Sequence, residues 1–142
     1  MVEHTSASND TFDTEALALA MVEAAWDMKA RRVRVLDVRG IVSYTDFLVV
    51  CHGTSDRHAR AVADGVISDL RPTKVRPIGV EGLSRGDWIL VDFADAILHV
   101  FNGIEARGEY NLESIYSDAP RLELDAPADL EDEDLEAAHH EA

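Results

Sequence analysis

The side chains able to do chemistry fall at three places in this 142-residue chain. The first is Cys51-His52-Gly53-Thr54-Ser55-Asp56, with His58 just beyond. A thiol, two imidazoles and hydroxyls so close together are the raw material of a nucleophile, a base or a metal site. Metal sites need three or four ligands at characteristic spacings, and neither C-x-x-C nor H-x-x-x-H occurs. The nucleophile motif G-x-S-x-G is also absent. A strand-to-helix junction here would aim free backbone N–H groups at an anion, but one glycine is far short of a phosphate-binding loop. A capped turn accounts for the same residues, with Cys51 as a small apolar core side chain. The second place is Asp92 and Asp95. Two nearby carboxylates can hold Mg²⁺ for phosphoryl transfer, although aspartates that shape a turn are commoner. The third is His99, which alternates with Ile97 and Phe101 and so shares their strand face. No base or nucleophile accompanies it, so a hydrogen-bonded histidine in a half-buried sheet is expected rather than a catalyst. His139 and His140 sit in an acidic run and carry no assignment. The residues alone assign no catalytic group, no metal and no cofactor.

The elements that must position these residues follow from periodicity. Asp13 can cap a helix over residues 14–30, whose Leu17, Met21, Ala24 and Met28 recur at helical spacing. Lys29, Arg31 and Arg32 would then lie at its C-terminal end, where cations suit the helix dipole. Val33, Val35 and Val38 begin a strand that ends at Gly40. The apolar run Phe47-Leu48-Val49-Val50-Cys51 fits a strand covered on both faces. Thr54 or Ser55 caps a helix over residues 56–70, with Ala59, Val62, Ala63, Val66 and Leu70 as its core stripe and Pro72 as its stop. Residues 75–79 suggest a short strand, and Pro77 suggests an edge. Residues 88–93 and 97–101 are two strands so closely joined that an antiparallel hairpin is expected. One or two short helices cover residues 105–116. The expected fold is α/β, a single domain with a mixed β-sheet flanked by helices. Residues 1–12 form a disordered tail, residues 13–118 the domain, and residues 119–142 an acidic disordered tail.

Charge narrows the partners. The net charge is −15. Residues 118–142 hold ten acids and one base, and residues 1–117 hold eighteen acids and twelve bases. Direct binding of nucleic acid through phosphates needs a basic stripe, which this balance argues against. An acidic surface favours solubility or a basic protein partner. A single cysteine gives no internal disulfide. The N-terminal residues have neither the basic nor the apolar segment of a signal peptide, and no apolar run is long enough for a membrane span. A cytoplasmic protein is expected.

Three blocks carry a resemblance that covers residues 14–118. The first is Val35-Leu36-Asp37-Val38-Arg39-Gly40 followed by Asp46-Phe47-Leu48-Val49-Val50-Cys51. The second is Gly53-Thr54-Ser55-Asp56-Arg57-His58, running into Ala63-Asp64. The third is Glu81-Gly82, then DWILVDFADAILHVF, then Glu105, Arg107, Tyr110-Asn111-Leu112-Glu113 and Tyr116. In combination they are similar to the ribosomal silencing factor family (RsfS, Iojap-related). Two positions depart from the family pattern. Ala94 stands where glycine is common, which implies a turn without positive φ, and Tyr116 stands where tryptophan is common.

The resemblance implies a nucleotidyltransferase-like sheet without that activity. It implies binding to the fourteenth protein of the large ribosomal subunit, a steric block of subunit joining, repression of translation, no cofactor, and a possible homodimer. On this reading Asp87, Asp92 and Asp95 pair with Lys or Arg of the partner. Trp88 is the expected anchor, with Leu90 and Asp92 on its strand face and Tyr110 and Glu113 on the following helix. The competing expectation is a nucleotidyltransferase-like enzyme using Mg²⁺ and a nucleotide at the Gly53-Thr54-Ser55 junction and the Asp92/Asp95 pair. The spacing Asp92-Phe93-Ala94-Asp95 does not match that class, which places its acids as D-x-[DE] on one strand.

Overall fold

The computed structural model describes residues 2–131, with side chains from residue 14 onward. Helix α1 runs Val2–Asp27. It starts before the expected residue 14, because nothing in residues 2–13 is Pro or Gly to interrupt it. It also ends three residues early. Lys29 adopts φ 65 in the turn that follows, and Arg31 and Arg32 belong to strand β1, Arg31–Asp37. The basic cluster therefore does not cap the helix as expected. Strand β2, Phe47–Gly53, is buried along its whole length, as its unbroken apolar run requires. Helix α2, Asp56–Leu70, buries the expected stripe and is capped by Ser55, whose Oγ accepts the His58 N–H at 3.0 Å.

Strand β3 is Gly79–Glu81, not residues 75–79. Pro77 has no N–H to give the ladder, and pairing starts only where the Ile78 N–H reaches the Asp92 carbonyl at 2.7 Å. Strands β4, Trp88–Asp92, and β5, Ala96–Asn102, form the expected antiparallel hairpin. Helices α3, Gly103–Tyr110, and α4, Leu112–Ile115, follow.

The sheet order is β1-β2-β5-β4-β3. Only β2 and β5 are parallel, so the sheet is mixed. Helices α1 and α2 cover one face over Val33, Val35, Phe47, Val49, Ile89 and Leu98. The other face carries Leu36, Leu48, Val50, Ile97 and Phe101, with Leu112 of α4 packed on it. Helix α3 lies over β2 and β5, so β4 on that face is only partly covered.

Residues 119–131 are not the disordered start of an acidic tail. The Asp37 N–H donates to the Pro120 carbonyl at 2.7 Å and the Leu122 N–H to the Val35 carbonyl at 3.1 Å, closing the outer edge of β1. Leu122 and Leu124 pack on the core and Leu130 is buried. Apolar residues interleaved among the acids anchor this stretch. Residues 132–142 lie outside the described residues. Among the described residues, no helix is long and apolar enough to cross a membrane.

Candidate protein-interaction site

The hairpin places Trp88, Leu90 and Asp92 on one face of β4, opposite Phe101, His99 and Ile97 of β5. All three are half-buried. The Trp88 ring lies 4.5 Å from that of Tyr110, 5.3 Å from Phe101 and 5.9 Å from His99, centroid to centroid. Phe101 forms the floor and is fully buried, whereas Tyr110 at the rim of α3 is 43% exposed. The result is an aromatic patch fixed from below and open above. Indole Nε1–H donates to His99 Nδ1 at 3.0 Å. Burial pushes the His99 imidazole down to about 4, against the opposing pull of Asp92. The ring is therefore neutral and serves as an acceptor.

The aspartates sit around this patch with separate local roles. Asp92 Oδ1 accepts the Ala94 N–H at 2.8 Å. Asp95 lends its carbonyl to the amides of Asp46 and Phe47. Asp87 pairs with exposed Arg85 at 2.9 Å. Ala94 has φ 73, contrary to the turn without positive φ expected of an alanine. The Asp95 N–H folds back on the Phe93 carbonyl at 2.9 Å, closing a three-residue turn whose central residue takes the rarer positive-φ form.

Glu113 does not join the patch. Its carboxylate is gripped by Arg107 Nε at 2.9 Å and Nη2 at 3.1 Å. Burial raises the Glu113 carboxyl, but the Arg107 hydrogen bonds and the charges of Arg107, Arg121 and Arg34 together outweigh it and hold the group below its ordinary range. Arg107, 7% exposed, also donates from Nη1 to His52 Nδ1 at 3.0 Å. Sequence reading missed this network. Its only signal was an Arg and a Glu six residues apart on short helices, facing a histidine distant in sequence.

The strand-to-helix junction is structural. A Cβ at Gly53 would sit 2.8 Å from the Ala59 N, so the turn needs glycine for close approach. His58 accepts the Thr54 N–H at Nδ1, 2.9 Å, and Nε2 reaches the Met28 carbonyl at 2.8 Å, tying α2 to the end of α1. Cys51 is fully buried and its thiol is pushed up to about 12 by burial, which makes it inert.

Comparison with known proteins adds the identity of the fold's relatives. A family profile described as "Ribosomal silencing factor during starvation" matches residues 11–142. The ribosomal silencing factor of Halalkalibacterium halodurans is 37% identical over 111 residues, spanning 78% of this chain and 93% of that protein. A mouse protein named for mitochondrial assembly of the ribosomal large subunit is 32% identical over 91 residues, covering 62% of this chain and 40% of its own length. A crystal structure from Bacillus halodurans superposes with a TM-score of 0.69 at 32% identity, covering 78% of this chain and 99% of that one. The chain belongs to the ribosomal silencing factor family.

Proposed function

We propose that this protein represses translation by docking the Trp88 face of its sheet on the fourteenth protein of the large ribosomal subunit, where its bulk blocks entry of the small subunit. The observation that carries the reading is the aromatic patch of Trp88 and Tyr110, braced by His99 and Phe101 and partly exposed where α3 does not cover β4. Aromatic anchors of this kind dominate protein interfaces. Leu90 extends the apolar surface. Asp87, Asp92 and Asp95 supply an acidic surround that suits a basic ribosomal protein and is repelled by exposed RNA. Family membership and the mouse relative's link to the large subunit support the same partner class. Steric exclusion needs no reaction, so the protein acts as a regulator in the compartment that holds the ribosomes, the cytoplasm.

Sucrose-gradient sedimentation tests this reading. The protein should travel with free large subunits and lower the yield of joined ribosomes when small subunits are added. Absence from the large-subunit fractions would sink it. A rise in melting temperature with nucleotide plus Mg²⁺ would instead favour the nucleotidyltransferase-like alternative.

A further inference from the structure

The net charge of −15 hides a local exception. Residues 71–78, Arg71-Pro72-Thr73-Lys74-Val75-Arg76-Pro77-Ile78, carry three cations and no acid. All three basic residues are exposed. Asp69 and Glu81 are the nearest acids in sequence. Even so, none of Arg71, Lys74 and Arg76 has an ion-pair partner among the described residues. By contrast, Arg34, Arg39, Arg60, Arg85, Arg107 and Arg121 each lie within 4.0 Å of a carboxylate.

The backbone beneath these cations is pinned at both ends. Pro72 stops α2 and opens a single 3-10 turn, Arg71–Thr73. The Leu70 carbonyl, at the buried end of α2, accepts Thr73 Oγ1 at 2.6 Å and the Val75 N–H at 3.4 Å. Lys74 closes the turn at φ 68, its N–H on the Arg71 carbonyl at 2.8 Å. That left-handed conformation favours glycine, yet a lysine stands there. Val75 packs on the core, and the Ile78 N–H reaches the Asp92 carbonyl at 2.7 Å. The segment then runs into β3, the strand directly beside β4. The cations thus sit on a fixed edge that flanks the docking strand.

Fixed cations without internal partners suit a repeating anion. Residues 71–78 hold no aromatic ring to stack on a base and no Asn or Gln to read one, so the chemistry is that of phosphates and is independent of sequence. An acidic peptide fits less well. It would need a strand edge to hold its backbone, and β3 offers three residues behind a proline. We propose that the Arg71/Lys74/Arg76 edge contacts the phosphate backbone of the ribosomal RNA around the docked ribosomal protein, an inference that rests on the docking reading above. The surface then carries two signs. Asp87, Asp92 and Asp95 meet the basic protein, the edge beyond β3 meets the RNA, and the pair of contacts sets the orientation of docking.

Binding of the full chain to large subunits, measured over a salt series at fixed Mg²⁺, tests the edge. Each phosphate contact adds roughly 0.7–0.9 to the slope of log K against log salt. The Arg71→Gln, Lys74→Gln, Arg76→Gln triple variant should flatten that slope by about two. Arg76→Gln alone should flatten it by somewhat under one, which keeps the test open if the triple variant folds poorly. Binding to the isolated fourteenth ribosomal protein, free of RNA, should be the same for wild type and variants. Unchanged salt slopes in variants of a wild type that binds overturn the proposal alone. Equal weakening toward the isolated protein overturns it too, by making the cations a protein contact. Wild-type protein that binds neither large subunits nor the isolated protein sinks the docking reading and this proposal together.

Discussion

The indole N–H of Trp88 donates to Nδ1 of His99 at 3.0 Å, across the pair of strands that carries the open aromatic patch. The bond fixes the tautomer of the histidine and the tilt of the indole together. Trp88 thus belongs partly to the sheet and partly to the surface.

Trp88→Ala should therefore act on both. Binding to large subunits should fall by about thirty-fold or more, the loss of an aromatic anchor worth roughly 2–4 kcal/mol. The denaturation midpoint should drop as well, because the truncation empties the space above Phe101. Tyr110→Ser separates the effects. Tyr110 is at the rim, so binding should weaken while the midpoint hardly moves. Intact binding by both variants in sedimentation would remove the patch from the interface.

His99 makes stability pH-dependent in a defined window. Its folded value near 4 lies below the ordinary 6.5. Above 6.5 both states are neutral and the full stability is present. As pH falls below 6.5 the unfolded chain takes a proton that the folded chain refuses, so stability declines until about pH 4. Asp37 and Glu113 are also lowered, but their contribution is lost only as pH falls past the usual carboxylate values of 3.8 and 4.5. Denaturation series between pH 6.5 and 4.5 should show a loss of order 2–3 kcal/mol. In His99→Gln, whose amide oxygen can still accept the indole N–H, that slope should flatten. An unchanged slope would refute the assignment.

Ala94→Gly should stabilise the protein by roughly 0.5–1 kcal/mol, because φ 73 strains an alanine and not a glycine. The gain is offset in part by the freer unfolded chain. Thermal melts that show a lower midpoint would mean the turn relaxes when the side chain is removed.

Arg107→Gln should cost about 3–5 kcal/mol, since it strands Glu113 half-buried without its partner. Urea denaturation would show the loss, and a change within 1 kcal/mol would count against the pairing.

Truncation should distinguish the two parts of the C-terminal region. Removing residues 132–142 should leave folding and ribosome binding intact. Removing residues 121–142 should lower the melting temperature sharply, because Leu122, Leu124 and Leu130 leave the core and the edge of β1 is bared. Equal melting temperatures for the two truncations would contradict the packing seen here.

The sheet, the stripe of α2 and the β4–β5 hairpin were legible in sequence because each rests on a local period or a short turn. The face shared by Trp88, Leu90 and Asp92 was legible for the same reason. Three features were not. The positive φ at Ala94 depends on hydrogen bonds that link both sides of the turn, and an alanine argues against it by propensity alone. The Arg107–His52 contact joins residues far apart in sequence, so no window contains it. The anchoring of residues 119–131 was hidden by composition, because their many acids outweigh the three leucines that decide the packing.

The parallel pairing of β2 with β5 at the centre of the sheet bears on how fast the fold can be reached. Phe47 faces Ala96 across that ladder, roughly fifty residues away along the chain, so the central contacts close a long loop before they return any stabilisation. The hairpin β4–β5 and helix α2 can form from local sequence alone. Strand β2, every residue of which is buried in the finished sheet, can pair with β1 on one edge as soon as it is made, but its other edge has to await the arrival of β5. On the ribosome that apolar edge stays open until β5 is synthesised, and completion of the sheet is paced by loop closure and not by helix formation.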